Sequence, residues 1–208
     1  MNKLKTILFS LILVSFIACK PAEPPAPYPY ETNPKFMWGF ADFYGNYYQN
    51  YEIENNVVSL NLFTEKLAIN DKFQLEGVGQ YLIIEDIFSA SSDTLLPNGE
   101  YKVAETGEPF TFYGGKKFED NHDAIPSGAF IHYIEADPTK SKIAYITDGT
   151  MNIHAKNDTI YSISCDFILD GKTELKGTFN NVLYHIDRVA ETPPSAVRRK
   201  LISHIHTP

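Results

Sequence analysis

The segment Thr159 to Leu169, TIYSISCDFIL, constrains this chain more than any other. Tyr161, Ile163, Cys165, Phe167 and Leu169 alternate with Ser162, Ser164 and Asp166. An exact period of two puts the first set on one face of a strand and the second on the other. Asp170-Gly171 follows, a two-residue hairpin signal in which glycine is expected to accept positive φ. Before the segment, GTMNIHA runs into the turn Lys156-Asn157-Asp158. After it, KTELKGTF returns the chain. Gly149 to Phe179 therefore reads as a three-stranded meander with one buried face. Cys165 lies on that face and reads as a small core hydrophobe, not a reactive thiol.

Other segments repeat the theme. In NVVSLNLF, Asn56 to Phe63, Val58, Leu60 and Leu62 face one way and Ser59 and Asn61 the other. QYLIIEDIF, Gln80 to Phe88, is apolar on both faces in its first half and reads as a central strand. Pro97-Asn98-Gly99 is a turn, with proline presetting φ and glycine expected at positive φ. Glu100 to Val103, Pro109 to Tyr113 and Ala129 to Ala136 read as further strands, and DKFQLEGVGQ as a loop. No stretch before Pro194 has the period of a long amphipathic helix. Many short strands at regular spacing predict an all-β fold, an antiparallel β-sandwich first and a barrel second. The basic tail, 188–208, reads as a short helix or a frayed end beyond Pro193-Pro194.

The N-terminus carries a different signal. Lys3 and Lys5 precede an apolar run from Ile7 to Ile17, which is signal-peptide length and too short to span a bilayer at roughly 20 residues. It ends Phe16-Ile17-Ala18-Cys19, which resembles a bacterial lipobox. That resemblance implies cleavage after residue 18 and fatty-acyl (palmitate-type) lipidation of Cys19, with two or more chains giving stable anchorage. Pro21, Pro24, Pro25, Pro27 and Pro29 follow, so residues 19–35 read as an extended, semi-rigid tether. The folded domain is expected over 36–187.

Cleavage leaves 190 of the 208 residues, ample for one sizeable core. The net charge is −8, and it becomes more negative when Lys3 and Lys5 leave. This opposes generic binding to nucleic acid or anionic lipid. Cys19 and Cys165 are the only cysteines, so a lipidated Cys19 leaves no internal disulfide.

The segments VVSLNLF, GVGQYLIIEDIF, LLPNGEYKV, SGAFIHYI, ITDGTMNIHA and YSISCDFILDGKTELKGTF, in this order, resemble a recurrent β-rich domain of Bacteroidota lipoproteins, a domain of unknown function. The resemblance covers Phe36 to Ile186 and rests on strand and turn order, not on a chemical motif. It implies export and lipid anchorage at the outer membrane, in company with glycan-handling proteins, and it assigns no functional residue.

Chemical motifs are sparse. There is no HExxH, no paired Cys/His spacing, no GxSxG and no cofactor-binding fingerprint. Glu119, Asp120, His122 and Asp123 lack calcium-loop spacing and read as a solvated acidic turn. His204 and His206 read as surface tail. Glu85 and Asp86, adjacent on a strand, are expected to point to opposite faces and so form no acid pair. The unusual feature is FMWGFADFYGNYYQNY, Phe36 to Tyr51, where aromatics interleave with Asp42, Asn46, Gln49 and Asn50. Rings of this kind stack on the C–H faces of sugars, while amides and carboxylates bond the hydroxyls. Trp38, Tyr44, Tyr47 and Tyr48 are the candidate ligand-binding residues, with at least one expected to be exposed. No metal site or catalytic residue is expected. The leading function is a non-enzymatic, outer-membrane-anchored binding domain with polysaccharide as ligand. The alternatives are an envelope assembly protein that offers a free strand edge to another protein, and a glycan hydrolase whose acids converge only in the fold.

Overall fold

The computed structural model describes residues 31–120 and 123–191. The signal segment, Cys19, most of the tether, His122 and the tail from 192 onward lie outside the described residues. The fold is all-β. Strands are β1 Lys35–Gly45, β2 Asn56–Thr64, β3 Leu67–Ile69, β4 Leu75–Gly77 and β5 Gly79–Ser89. β6 Gly99–Val103, β7 Thr111–Phe112, β8 Lys116–Asp120, β9 Asp123–Ser127 and β10 Ala129–Ile134 follow. The last are β11 Lys142–Ala155, β12 Ile160–Leu169, β13 Glu174–Leu175, β14 Thr178–Val182 and β15 Tyr184–Asp187. Single 3-10 turns occur at Gln49–Tyr51, Pro138–Lys140 and Val189–Glu191.

β3–β4 and β8–β9 form two separate hairpins, and the other strands join one sheet. That sheet turns back on itself. β5 pairs with β2 and β10, β2 with β1, β1 with β14, β14 with β12, β12 with β11, and β11 with β10. The result is sandwich-like, with one core between two sides, and its hydrogen bonding runs round as in the barrel alternative. The expected antiparallel sheet is mixed: β1–β14, β1–β15 and β6–β7 are parallel. β1 meets β14 and β15 from the far end of the chain, so no hairpin dictates their direction.

The core confirms the sequence pattern. Tyr161, Ile163, Cys165, Phe167 and Leu169 are buried, and join Val58, Leu60, Leu62, Leu82, Ile84 and Phe112 in one cluster. Cys165 is a free thiol, pushed well above its ordinary pKa by burial. The meander is present as β11–β12–β14, with β13 alongside. Asn157 Oδ1 closes its first turn by accepting the N–H groups of Thr159 and Ile160.

Two glycines do other work than expected. In the second turn the Lys172 N–H donates to Leu169 O at 2.7 Å, and the Leu169 N–H to Thr173 O at 2.9 Å. The residue at positive φ is Lys172, at 61°, not Gly171. This is the three-residue hairpin loop that ends in a left-handed residue, not a two-residue loop. Gly99 also lacks positive φ; a Cβ there would lie 2.6 Å from the Phe110 ring, so close approach explains the glycine.

The folded unit begins before Phe36. The Glu31 N–H donates to Gln80 Oε1, and the carbonyls of Thr32 and Pro34 accept from Lys176 and Thr178. It also extends past 187, since the Arg188 N–H bonds Phe43 O and a 3-10 turn follows at Val189–Glu191.

Candidate functional site

Side chains on the inner face of β1, β2, β5 and β10 fill the core. Those on the outer face make a second layer. On β1 this face carries Trp38, Phe40, Asp42 and Tyr44; on β2 it carries Val57, Ser59, Asn61 and Phe63. Both Ser59 and Asn61, read as the polar side of their strand, are buried at 2% and 4% exposure. A sheet covered on both sides explains why β5 is apolar on both faces.

β5 also breaks its own alternation. Ile84 and Ile87 both enter the core, while Ile83 and Phe88 join clusters on the outer face. The two inward positions are three apart in sequence, where a regular strand needs an even spacing. The pairing with β2 shows why: Leu60 opposes Ile84 and Val58 opposes Ile87, so Ser59 alone faces both Glu85 and Asp86. This is a β-bulge, which adds one residue and resets the parity. Glu85 and Asp86 therefore share the outer face, correcting the expectation that they diverge.

Asp42, Glu85 and Asp86 are buried here at 7%, 5% and 7% exposure. Each has a partner, as buried charge requires. Arg188 Nε donates to Asp42 Oδ1 at 2.9 Å, and Asn61 Nδ2 to Asp42 Oδ2 at 3.4 Å. The Tyr81 hydroxyl donates to Asn61 Oδ1. The Gly128 N–H donates to Glu85 Oε2 at 2.8 Å, and the Tyr48 hydroxyl to Asp86 Oδ1 at 3.1 Å. Burial, then the charges of Asp42 and Glu85, hold the Tyr81 phenol protonated well above its ordinary range.

Rings flank this polar row on both sides. On one side Trp38 stacks on Phe63 at 3.8 Å and 6°, and Phe63 on Tyr81 at 4.2 Å and 13°. Cross-strand register makes the stack: Trp38 opposes Phe63, Phe63 opposes Tyr81, and Tyr81 opposes His132. On the other side Tyr44, Tyr47, Tyr48 and Tyr51 meet in successive edge-on contacts. Tyr44 is buried, whereas Trp38, Tyr47 and Tyr48 are half-buried. None of the four stands fully in solvent; the exposed ring of the block is Tyr51, at 70%.

Beyond His132 the same face opens into a groove of about 820 Å³ between the β3–β4 hairpin and the β10–β11 hairpin. This is the size of a small-molecule site. Ile134 and Ile143 lie in it, with polar atoms from Asn70, Gln74, Glu76, His132, Glu135 and Ser141. Burial pushes the His132 imidazole down to about 4, so it is neutral at pH 7. Trp38 Nε1 donates to Leu67 O at 2.8 Å and ties the stack to the groove's hairpin wall. Sequence reading missed this groove, because β3 and β4 have three residues each and show no periodicity.

Among the described residues no three His, Cys, Asp or Glu side chains are placed to hold a metal ion. Comparison with known proteins finds no family model, curated protein or solved structure that matches the chain.

Proposed function

We propose that this is an exported, lipid-anchored domain that binds a polysaccharide, without catalysis, on the outer face of β1, β2, β5 and β10. The observation that carries the reading is the row of half-buried rings, Trp38 on one side and Tyr47 and Tyr48 on the other, flanking amides and carboxylates beside an open groove. Aromatic faces supply apolar contact to sugar rings, and the polar residues that line the groove orient hydroxyls, while the buried row between the rings holds the face in shape. The hydrolase alternative gains one point, since the bulge gathers Glu85 and Asp86 beside Asp42. Yet these carboxylates are buried and engaged by Arg188, the Gly128 N–H and Tyr48. A glycosidase needs its pair open to the scissile bond. Assembly through a free strand edge fits less well, because the main sheet pairs round to itself.

Trp38 is the only tryptophan, so its emission is a specific probe. Titration of the purified protein with soluble neutral polysaccharides should shift that emission for at least one of them, and Trp38→Ala should weaken the binding about tenfold. Absence of binding across the panel would sink the proposal. Anchorage is tested separately: fatty-acid labelling in cells should be lost in Cys19→Ala, and equal labelling of both proteins refutes it.

A further inference from the structure

Phe73 is 82% exposed, the most exposed of the large hydrophobic side chains among the described residues. It is also held at φ 58°, a left-handed conformation that a bulky L-residue adopts only at a cost. The loop that holds it is tightly bonded. Asn70 Oδ1 accepts the N–H groups of Lys72 and Gln74 at 2.9 and 3.0 Å. The Phe73 N–H donates to Asn70 O, and the Asn70 N–H to Gln74 O, both at 2.9 Å. The ring is thus presented to water from a fixed backbone, against both the hydrophobic effect and backbone preference. Strain of this kind points from the outlier to a use.

The use is suggested by what lies beside it. Asn70 and Gln74, on either side of Phe73, both line the groove. The groove contains Glu76 and Glu135 and no lysine or arginine. It is therefore unsuited to a phosphate, a carboxylated sugar or an anionic lipid headgroup. Its amides, carboxylates, hydroxyl and neutral imidazole suit an uncharged ligand rich in hydroxyl groups, and Ile134 and Ile143 provide apolar contact.

We infer that the groove between the β3–β4 and β10–β11 hairpins is the binding subsite for a neutral saccharide, with Phe73 as a pre-set stacking platform at its mouth. This rests on the polysaccharide reading above and adds the location and the charge class of the ligand. Phe73 and Trp38 then belong to one binding face, joined by the Trp38–Leu67 hydrogen bond.

The test uses a panel of soluble neutral glucans, mannans and xylans, measured by calorimetry on the purified protein. For the member bound best, Phe73→Ala is expected to lower affinity about tenfold, Phe73→Tyr to retain it, and Glu135→Gln to lower it severalfold. Thermal midpoints should stay near wild type, because Phe73 is exposed and Glu135→Gln keeps the size and hydrogen-bonding reach of a half-buried side chain. Wild-type binding that both Phe73→Ala and Glu135→Gln leave unchanged, but Trp38→Ala abolishes, overturns the subsite and spares the polysaccharide reading. Absence of binding to every panel member overturns both. Binding to phosphatidylcholine or mixed anionic vesicles that Phe73→Ala abolishes would assign the ring to a membrane instead, and overturns the inference.

Discussion

His132 should make this protein acid-sensitive in a way that one substitution can isolate. Its imidazole is 9% exposed, and lies opposite Tyr81 on β5 and Ile143 on β11. Burial lowers its pKa from 6.5 to about 4. The unfolded chain binds this proton near pH 6.5, whereas the folded chain resists it until about 4. Stability linked to His132 is thus fully present above pH 6.5, falls as pH drops toward 4, and is constant below that. The gap between 6.5 and about 4, at about 1.4 kcal/mol per pH unit, corresponds to roughly 3 kcal/mol. Carboxylates also titrate on the way down, so wild type alone does not isolate the histidine. His132→Gln keeps a polar side chain of similar reach with no titration. Urea unfolding of both proteins, followed by Trp38 emission at pH 7.5, 6.5, 5.5 and 4.5, measures the difference. The wild-type midpoint should fall relative to the variant by about 1–2 M between the ends of this range, taking a urea slope of about 2 kcal/mol/M. Parallel curves for the two proteins would refute the burial argument.

Further outcomes are expected from the same structure. Arg188→Leu leaves the buried Asp42 without its cation and should cost about 2–4 kcal/mol in urea unfolding; Asp42→Asn in the same chain should recover part of that. Gly171→Ala should stay within about 0.5 kcal/mol, while Lys172→Gly should stabilise by up to about 1 kcal/mol, because the left-handed residue is Lys172. Ranking these two the other way by thermal melting would show that the loop is built differently. Cys165, 4% exposed, should resist a thiol reagent in the native protein and react once urea unfolds it; prompt native reaction contradicts its place in the core.

Much of the fold was legible where one physical rule acts alone. The alternation from Tyr161 to Leu169 is regular, so each side chain finds the predicted face. The doubly apolar start of β5 correctly announced neighbours on both edges and cover on both faces. The parallel contacts of β1 with β14 and β15 were not legible, since they join residues some 140 positions apart and leave no local mark. Turn composition gave the position of the Asp170-Gly171 loop but not its φ pattern. Either a two- or a three-residue loop accepts that pair, and pairing of the flanking strands selects between them.

The candidate site was hidden for a related reason. Reading Glu85 and Asp86 as diverging assumes an unbroken period of two, and the local sequence is consistent with it. What breaks the period is the partner strand. Val58 and Leu60 both belong inside, as do Ile84 and Ile87, and spacings of two and three can pair only if one residue of β5 is left over. The surplus falls at the two acids. Their shared face, and the polar row they form with Asp42 and Asn61, is therefore a property of the β2–β5 pair and not of either segment. The aromatic block shows the converse. Its rings were legible as two-sided, because alternation along β1 forces Trp38, Phe40 and Tyr44 away from Phe43; Phe36 shares their parity and reaches the core only through the register shift between Phe36 and Trp38. Whether the second side met protein or solvent depended on elements distant in sequence. They left the rings half-buried, with a groove beside them that no strand period foretells.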